Sequence, residues 1–124
     1  MKLTVQDPPR VFTPRPTIQM KDCARIKLDA NEQVTFITPD GAEYDVARTA
    51  WGFYATPSLN GRLAKFSLRA VLVKNRADFY FLLLVEKGKE PQFQEYAASE
   101  PLTIIFWMDN VDALKALEQR GAPN

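Results

Sequence analysis

With 124 residues, 46% of them hydrophobic and 25% charged, the chain has the length and composition of one folded domain rather than of a disordered segment. Sixteen basic residues stand against 15 acidic ones, a formal net charge of +1 with the signs interspersed, which argues against a nucleic-acid partner. Histidine is absent and Cys23 is the one cysteine, which excludes a Ser-His-Asp triad, an intramolecular disulfide and a structural Cys/His zinc site within one chain.

Residues 1–22 contain Pro8, Pro9, Pro14 and Pro16. Proline lacks an amide donor and biases the residue before it toward extended geometry. The expectation is a Pro-rich extended N-terminal arm over 1–22, followed by a single α+β domain over 23–124. Val11, Phe12 and Ile18 give the arm apolar residues for docking on the body or on a second subunit. Cys23 has no histidine to activate it and reads as a small buried or boundary residue.

Arg25-Ile26-Lys27-Leu28-Asp29 and Gln33-Val34-Thr35-Phe36-Ile37-Thr38 alternate polar and apolar residues, the period of half-buried strands, with a turn over 29–32 between them. Thr38-Pro39-Asp40-Gly41 is a stronger turn signal, because proline presets one dihedral and glycine accepts a positive φ. A hairpin over 33–38 and 42–47 follows. Trp51–Tyr54 reads as a short strand that Pro57 terminates, and Asn60-Gly61 as a tight hairpin turn. The extended run from Arg62 to Val73 exceeds the usual strand length of about 3–10 residues, so a break is expected near Ser67.

Lys74–Asp78 is a polar connection, and Phe79–Val85 is almost wholly apolar, which predicts a central strand covered on both faces. Glu90-Pro91 opens a helix whose Phe93, Tyr96 and Ala97 share one stripe. Leu102–Trp107 reads as a strand. Asp109 is the expected N-cap of a last helix, with Val111, Leu114 and Leu117 on its inner face and Gly121 at its end. The fold class is α+β: a mainly antiparallel β-sheet of about five to seven strands, with two C-terminal helices packed on one face.

The residues richest in polar chemistry lie at 45–62: Asp45, Arg48, Trp51, Tyr54, Thr56, Ser58, Asn60 and Arg62. Arginine grips a carboxylate or phosphate through two parallel donors. Tyr54, Ser58 and Asn60 supply hydrogen bonds to a polar ligand, and Trp51 or Phe53 a stacking surface. The competing reading is structural: Asn60-Gly61 as a turn, Trp51 and Phe53 as core, and Arg62 paired with Asp45. Lys87, Lys89 and Glu90 around Gly88 form a lesser set, read as a turn and helix start.

The functional expectation is a small non-catalytic binding or accessory domain that self-associates, with a polar-ligand site at 45–62. Two alternatives stand beside it. One is a small metal-independent enzyme acting on a polar metabolite through Tyr54, Asp45 and Arg62. The other is a protein-interaction module that lends an edge strand to a partner. No cofactor, metal, nucleic acid or membrane is expected, and the absence of a signal peptide or long apolar stretch predicts a cytoplasmic location.

Overall fold

The structure, a computed structural model, describes residues 1–16, 18–55 and 57–121. It is α+β, with antiparallel sheets and helices that include two near the C-terminus. The elements in chain order are β1 (Lys2–Arg15), β2 (Ile18–Lys27), β3 (Gln33–Ile37), β4 (Glu43–Thr49), β5 (Gly52–Ala55), α1 (Arg62–Lys65), β6 (Leu68–Lys74), β7 (Tyr80–Glu86), α2 (Glu90–Ser99), β8 (Thr103–Trp107) and α3 (Val111–Arg120). The strands fall into three sheets, ordered β1-β2, β3-β4-β5 and β7-β6-β8. The chain forms two compact units: Met1–Val34 with Val46–Tyr54, and Thr35–Asp45 with the described residues from Ala55 onward.

In the first unit the prolines do not prevent strand pairing; they interrupt it. β1 and β2 pair antiparallel from Lys2↔Lys27 to Arg15↔Ile18, with irregularities between Val5 and Arg10 and between Phe12 and Arg15. Those gaps hold Pro8, Pro9 and Pro14, which have no N–H for the ladder. The stretch expected as an arm is thus one strand and part of the next, and residue 22 falls inside β2. Arg10 pairs with Asp22 at 3.4 Å and lies over the Phe12 ring. Cys23 is exposed on this ribbon, where a buried or boundary position was expected.

The second unit holds the buried core. Residues directly opposite in an antiparallel pair point to the same face. The register Val71↔Leu83, Val73↔Phe81 and Arg69↔Val85 therefore defines one face of β6–β7. There Val71, Val73 and Val85 pack with Phe93 and Ala97 of α2, joined by Leu102, Ile104 and Trp107. Leu68 and Ala70 point the other way, against Ala42 and Leu63, with Tyr44, Leu59 and Met108 around them. β6 is buried on both faces and is the central strand.

β7, expected at the centre, is an edge. β6 carries a shorter apolar run, Ala70–Val73, and takes the middle of its sheet, paired with β7 on one side and β8 on the other. Phe79, Tyr80, Phe81, Leu82 and Leu84 are exposed. Asn75 shapes the turn before β7, its side chain accepting from the amides of Ala77 and Phe79.

The run from Arg62 to Val73 breaks at Ser67 as expected, with φ 65°, but its first part is not extended: Arg62–Lys65 is helical and β6 begins only at Leu68. Asn60-Gly61 leads into α1 rather than into a hairpin. α2 forms as expected with Phe93 and Ala97 buried, but Tyr96, expected on the same stripe, is exposed. α3 is capped by Asn110, one residue later than expected, its side chain accepting from Ala113 N–H at 3.0 Å. No α3 residue is buried, so Val111 and Leu117 lie open.

Candidate functional site

The residues at 45–62 divide between the two units. Asp45, Ser58, Asn60 and Arg62 belong to one; Arg48, Trp51 and Tyr54 belong to the other. Thr56 lies outside the described residues.

Asp45 sits on β4 and is only 5% exposed. A buried carboxylate needs partners, and it has them. Thr35 Oγ1 donates to its Oδ1 at 2.8 Å. Arg62 donates from Nε and Nη2 to its Oδ2 at 3.2 and 3.0 Å. The Arg62 guanidinium also stacks over Phe66, 4.6 Å from the ring centre. Ser58 is equally engaged: its Oγ accepts from the Arg62 backbone N–H at 2.8 Å, and its carbonyl accepts from Gly61 and Leu63. A Cβ on Gly61 would come within 2.5 Å of Ser58 Oγ, so glycine is what this loop tolerates. Asn60 is exposed in the same turn. This half of the set ties α1 to β4.

That role carries an expected result. Asp45→Ala should cost about 2 kcal/mol, because it removes three hydrogen bonds to a carboxylate, one from Thr35 and two from Arg62. Arg62→Ala should cost less than about 1 kcal/mol, since its side chain is half exposed and water replaces much of the pair. Urea unfolding of both variants measures the two values. Losses that are equal, or below about 0.5 kcal/mol for both, would show that the pair does not hold the loop.

In the other unit, Arg48 Nη1 donates to the Gly52 carbonyl at 2.9 Å, with its guanidinium 5.7 Å from the Phe53 ring centre. Thr49 Oγ1 closes the same turn by bonding both the amide and the carbonyl of Gly52. Trp51 is 74% exposed, and Phe53 and Tyr54 are exposed with it, so none of the three is core. Arg48 and Phe53 help to line a cleft of about 650 Å³ with Lys2, Thr4, Arg25, Ile26, Lys27 and Leu28. Lys2, Arg25 and Lys27 were not among the expected site residues. The signal that marks them is the Arg25-Ile26-Lys27 alternation, which puts two cations on one strand face.

A second polar cluster, which no local sequence pattern marks, gathers on Arg69. Arg69 on β6 donates from Nε and Nη2 to Asp109 at 2.8 and 3.2 Å and from Nη1 to Glu90 at 3.3 Å. Its guanidinium lies 4.1 Å from the Trp107 ring centre. Arg69 holds the Asp109 carboxyl below its ordinary range, and Asp109 in turn raises the guanidinium. Its own amide and that of Gly88, then Arg69, hold Glu90 low as well. Lys89 bonds Glu86 and reaches Asp40 at 3.2 Å, so the set around Gly88 is engaged in local pairs. Among the described residues no group of three His, Cys, Asp or Glu side chains is placed to hold a metal ion, and no helix is long and apolar enough to cross a membrane.

Compared with protein-family models, curated proteins and solved structures, the chain matches none. The functional reading therefore rests on this geometry.

Proposed function

We propose that the protein is a small non-catalytic binding or accessory domain that works as a pair of copies joined along β7. The observation that carries this reading is the edge strand itself. Tyr80–Glu86 pairs with β6 through an unbroken register, with neither proline nor bulge, and its other side is unpaired among the described residues. No charge interrupts Tyr80–Val85, and Leu82 is 53% exposed. Edges that remain solvent-facing are commonly blunted by charge, shortness or a bulge. β8, the opposite edge, has such a defence: it is five residues long, with a register shift at Leu72/Val73.

A second copy of the chain fits β7 by symmetry and by charge. Antiparallel pairing centred on Leu83 sets Leu82 against Leu84 of the other copy, on both sides of a two-fold axis. The same alignment brings the Asp78 end of each strand to the Lys87–Lys89 end of the other. The exposed side chains of Tyr80, Leu82 and Leu84 then leave water together.

Sedimentation equilibrium tests the proposal. The wild-type chain should be dimeric at tens of micromolar, and Leu82→Lys should weaken the dimer at least about 100-fold, since a lysine there would lose its solvation. At a concentration low enough for both proteins to be monomeric, the thermal midpoint of the variant should match that of wild type, because Leu82 lies outside both core clusters. A wild-type chain that stays monomeric at 100 micromolar, or a variant that dimerises as well as wild type, sinks the reading.

A further inference from the structure

We infer that the cleft beside β1 and β2 is a binding site for a small organic diphosphate, a phosphate anion that carries a flat ring. Its walls supply Lys2, Arg25, Lys27 and Arg48 and no carboxylate, and the open cleft has a volume of about 650 Å³. That volume falls within the roughly 300–1,000 Å³ of small-molecule pockets.

The register explains how three of these cations converge. Lys2 stands directly opposite Lys27, and Thr4 directly opposite Arg25. Side chains at i and i+2, and their cross-strand partners, share a face. Lys2, Lys27 and Arg25 therefore crowd one face of the ribbon, together with the Thr4 hydroxyl. Like charges directly opposite destabilise a β pair. Among the described residues no carboxylate lies within ion-pair distance of Lys2, Arg25 or Lys27; the nearby Glu32 and Asp29 are engaged by the Met1 amine. An arrangement that works against the ribbon when empty becomes favourable once a multiply charged anion is bound.

Arg48 completes the charge from a different strand. Its bond to the Gly52 carbonyl fixes the guanidinium and leaves other N–H groups for a ligand. Phe53 is exposed on the wall beside the Arg48 guanidinium and supplies an aromatic surface for a planar group. Arginine and lysine together suit phosphate oxygens, arginine through its fork and lysine as a point charge.

The extent of the charge favours a small ligand over a nucleic-acid strand. The three ribbon cations span two register positions on one face, about 7 Å along the strand. The next basic residue of β1 is Arg10, already neutralised by Asp22. A single-stranded nucleic acid needs a basic groove that tracks several nucleotides. The site lies in β1, β2 and the β4–β5 region, so it does not depend on pairing along β7, and each reading can fail alone.

Isothermal titration of the full chain with adenosine diphosphate at low salt tests the inference. Saturable binding is expected, weakened at least about tenfold by Lys27→Gln and by Arg25→Gln, the loss of one charge-assisted contact each. Without ligand, neither variant should lower the thermal midpoint, and Lys27→Gln should raise it slightly by relieving its opposition to Lys2. Phe53→Ala should weaken binding several-fold through the lost ring contact. Absence of saturable binding at millimolar nucleotide overturns the inference. So does unchanged affinity in the two charge variants or in Phe53→Ala, or tighter binding of a twelve-nucleotide single strand than of the nucleotide.

Discussion

Phe93→Ala should remove about 3–5 kcal/mol of stability, the usual cost of deleting a buried phenyl ring. Phe93 is 9% exposed and is the one large side chain that α2 buries; its other buried residue is Ala97. The ring fills the space over Val71, Val73 and Val85 and meets Trp107 edge-on, with centroids 5.6 Å apart and planes at 75°. That geometry sets the positive edge of one ring against the negative face of the other. Truncation leaves a void beneath a helix that has little else to hold it. Domains of this kind have about 5–15 kcal/mol of net stability, so a large share would be lost. Phe93→Leu retains most of the volume and should cost less than about 2 kcal/mol. Urea denaturation of both variants gives the two numbers. A Phe93→Ala loss below about 1 kcal/mol would mean that α2 does not close this core.

Arg69→Ala should cost about 2 kcal/mol at pH 7, with a pH signature that separates charge from packing. The side chain is 27% exposed, and Asp109 is less exposed still, so solvent screens the pair only in part. Asp109 titrates lower in the folded chain than in the unfolded one, because Arg69 favours its charged form. Its contribution to stability is therefore complete above the ordinary aspartate range, near about pH 4, and is lost as pH falls through the folded value beneath it. Glu90 acts in the same direction. The gap between wild type and Arg69→Ala should accordingly narrow between about pH 5 and pH 2. Urea midpoints measured at pH 7 and at pH 3 check this. A gap that stays constant would assign the loss to the contact between Arg69 and Trp107 instead.

Both results concern residues whose importance is unequally visible in the sequence. Phe93 stands out from the spacing of Phe93, Tyr96 and Ala97, although of the three only Phe93 and Ala97 are buried. Arg69 carries no such mark. Its partner Asp109 lies forty residues away, and the sequence position of Asp109 suggested a helix cap. Asn110 took that role, freeing Asp109 to meet β6. A cap is a local competition between adjacent side chains, decided by one residue of register, and the pattern around 109–112 suits either of them.

The candidate site shows the same division. The pairing of Asp45 with Arg62 was one of two readings open for those residues, and the bidentate geometry supports it. Core and stacking surface are both open to Trp51 and Phe53 from the sequence, and both side chains are exposed. The cations of the ribbon cleft leave no mark in the composition, where basic and acidic residues balance. Net charge sums over the chain and carries no information on which face each side chain occupies.

The sequence by itself determined the α+β class, the 33–47 hairpin, the break at Ser67 and the α2 stripe. Each depends on backbone preferences or periodicity over a few residues, where proline, glycine and alternation act directly. Only the tertiary structure decided that β6 is central and β7 an edge, that Arg69 gathers Asp109 and Glu90, and that Lys2 opposes Lys27. Those outcomes depend on strand order and register between distant segments. An apolar run such as Tyr80–Val85 states that a surface must leave water, and long-range pairing decides what covers it.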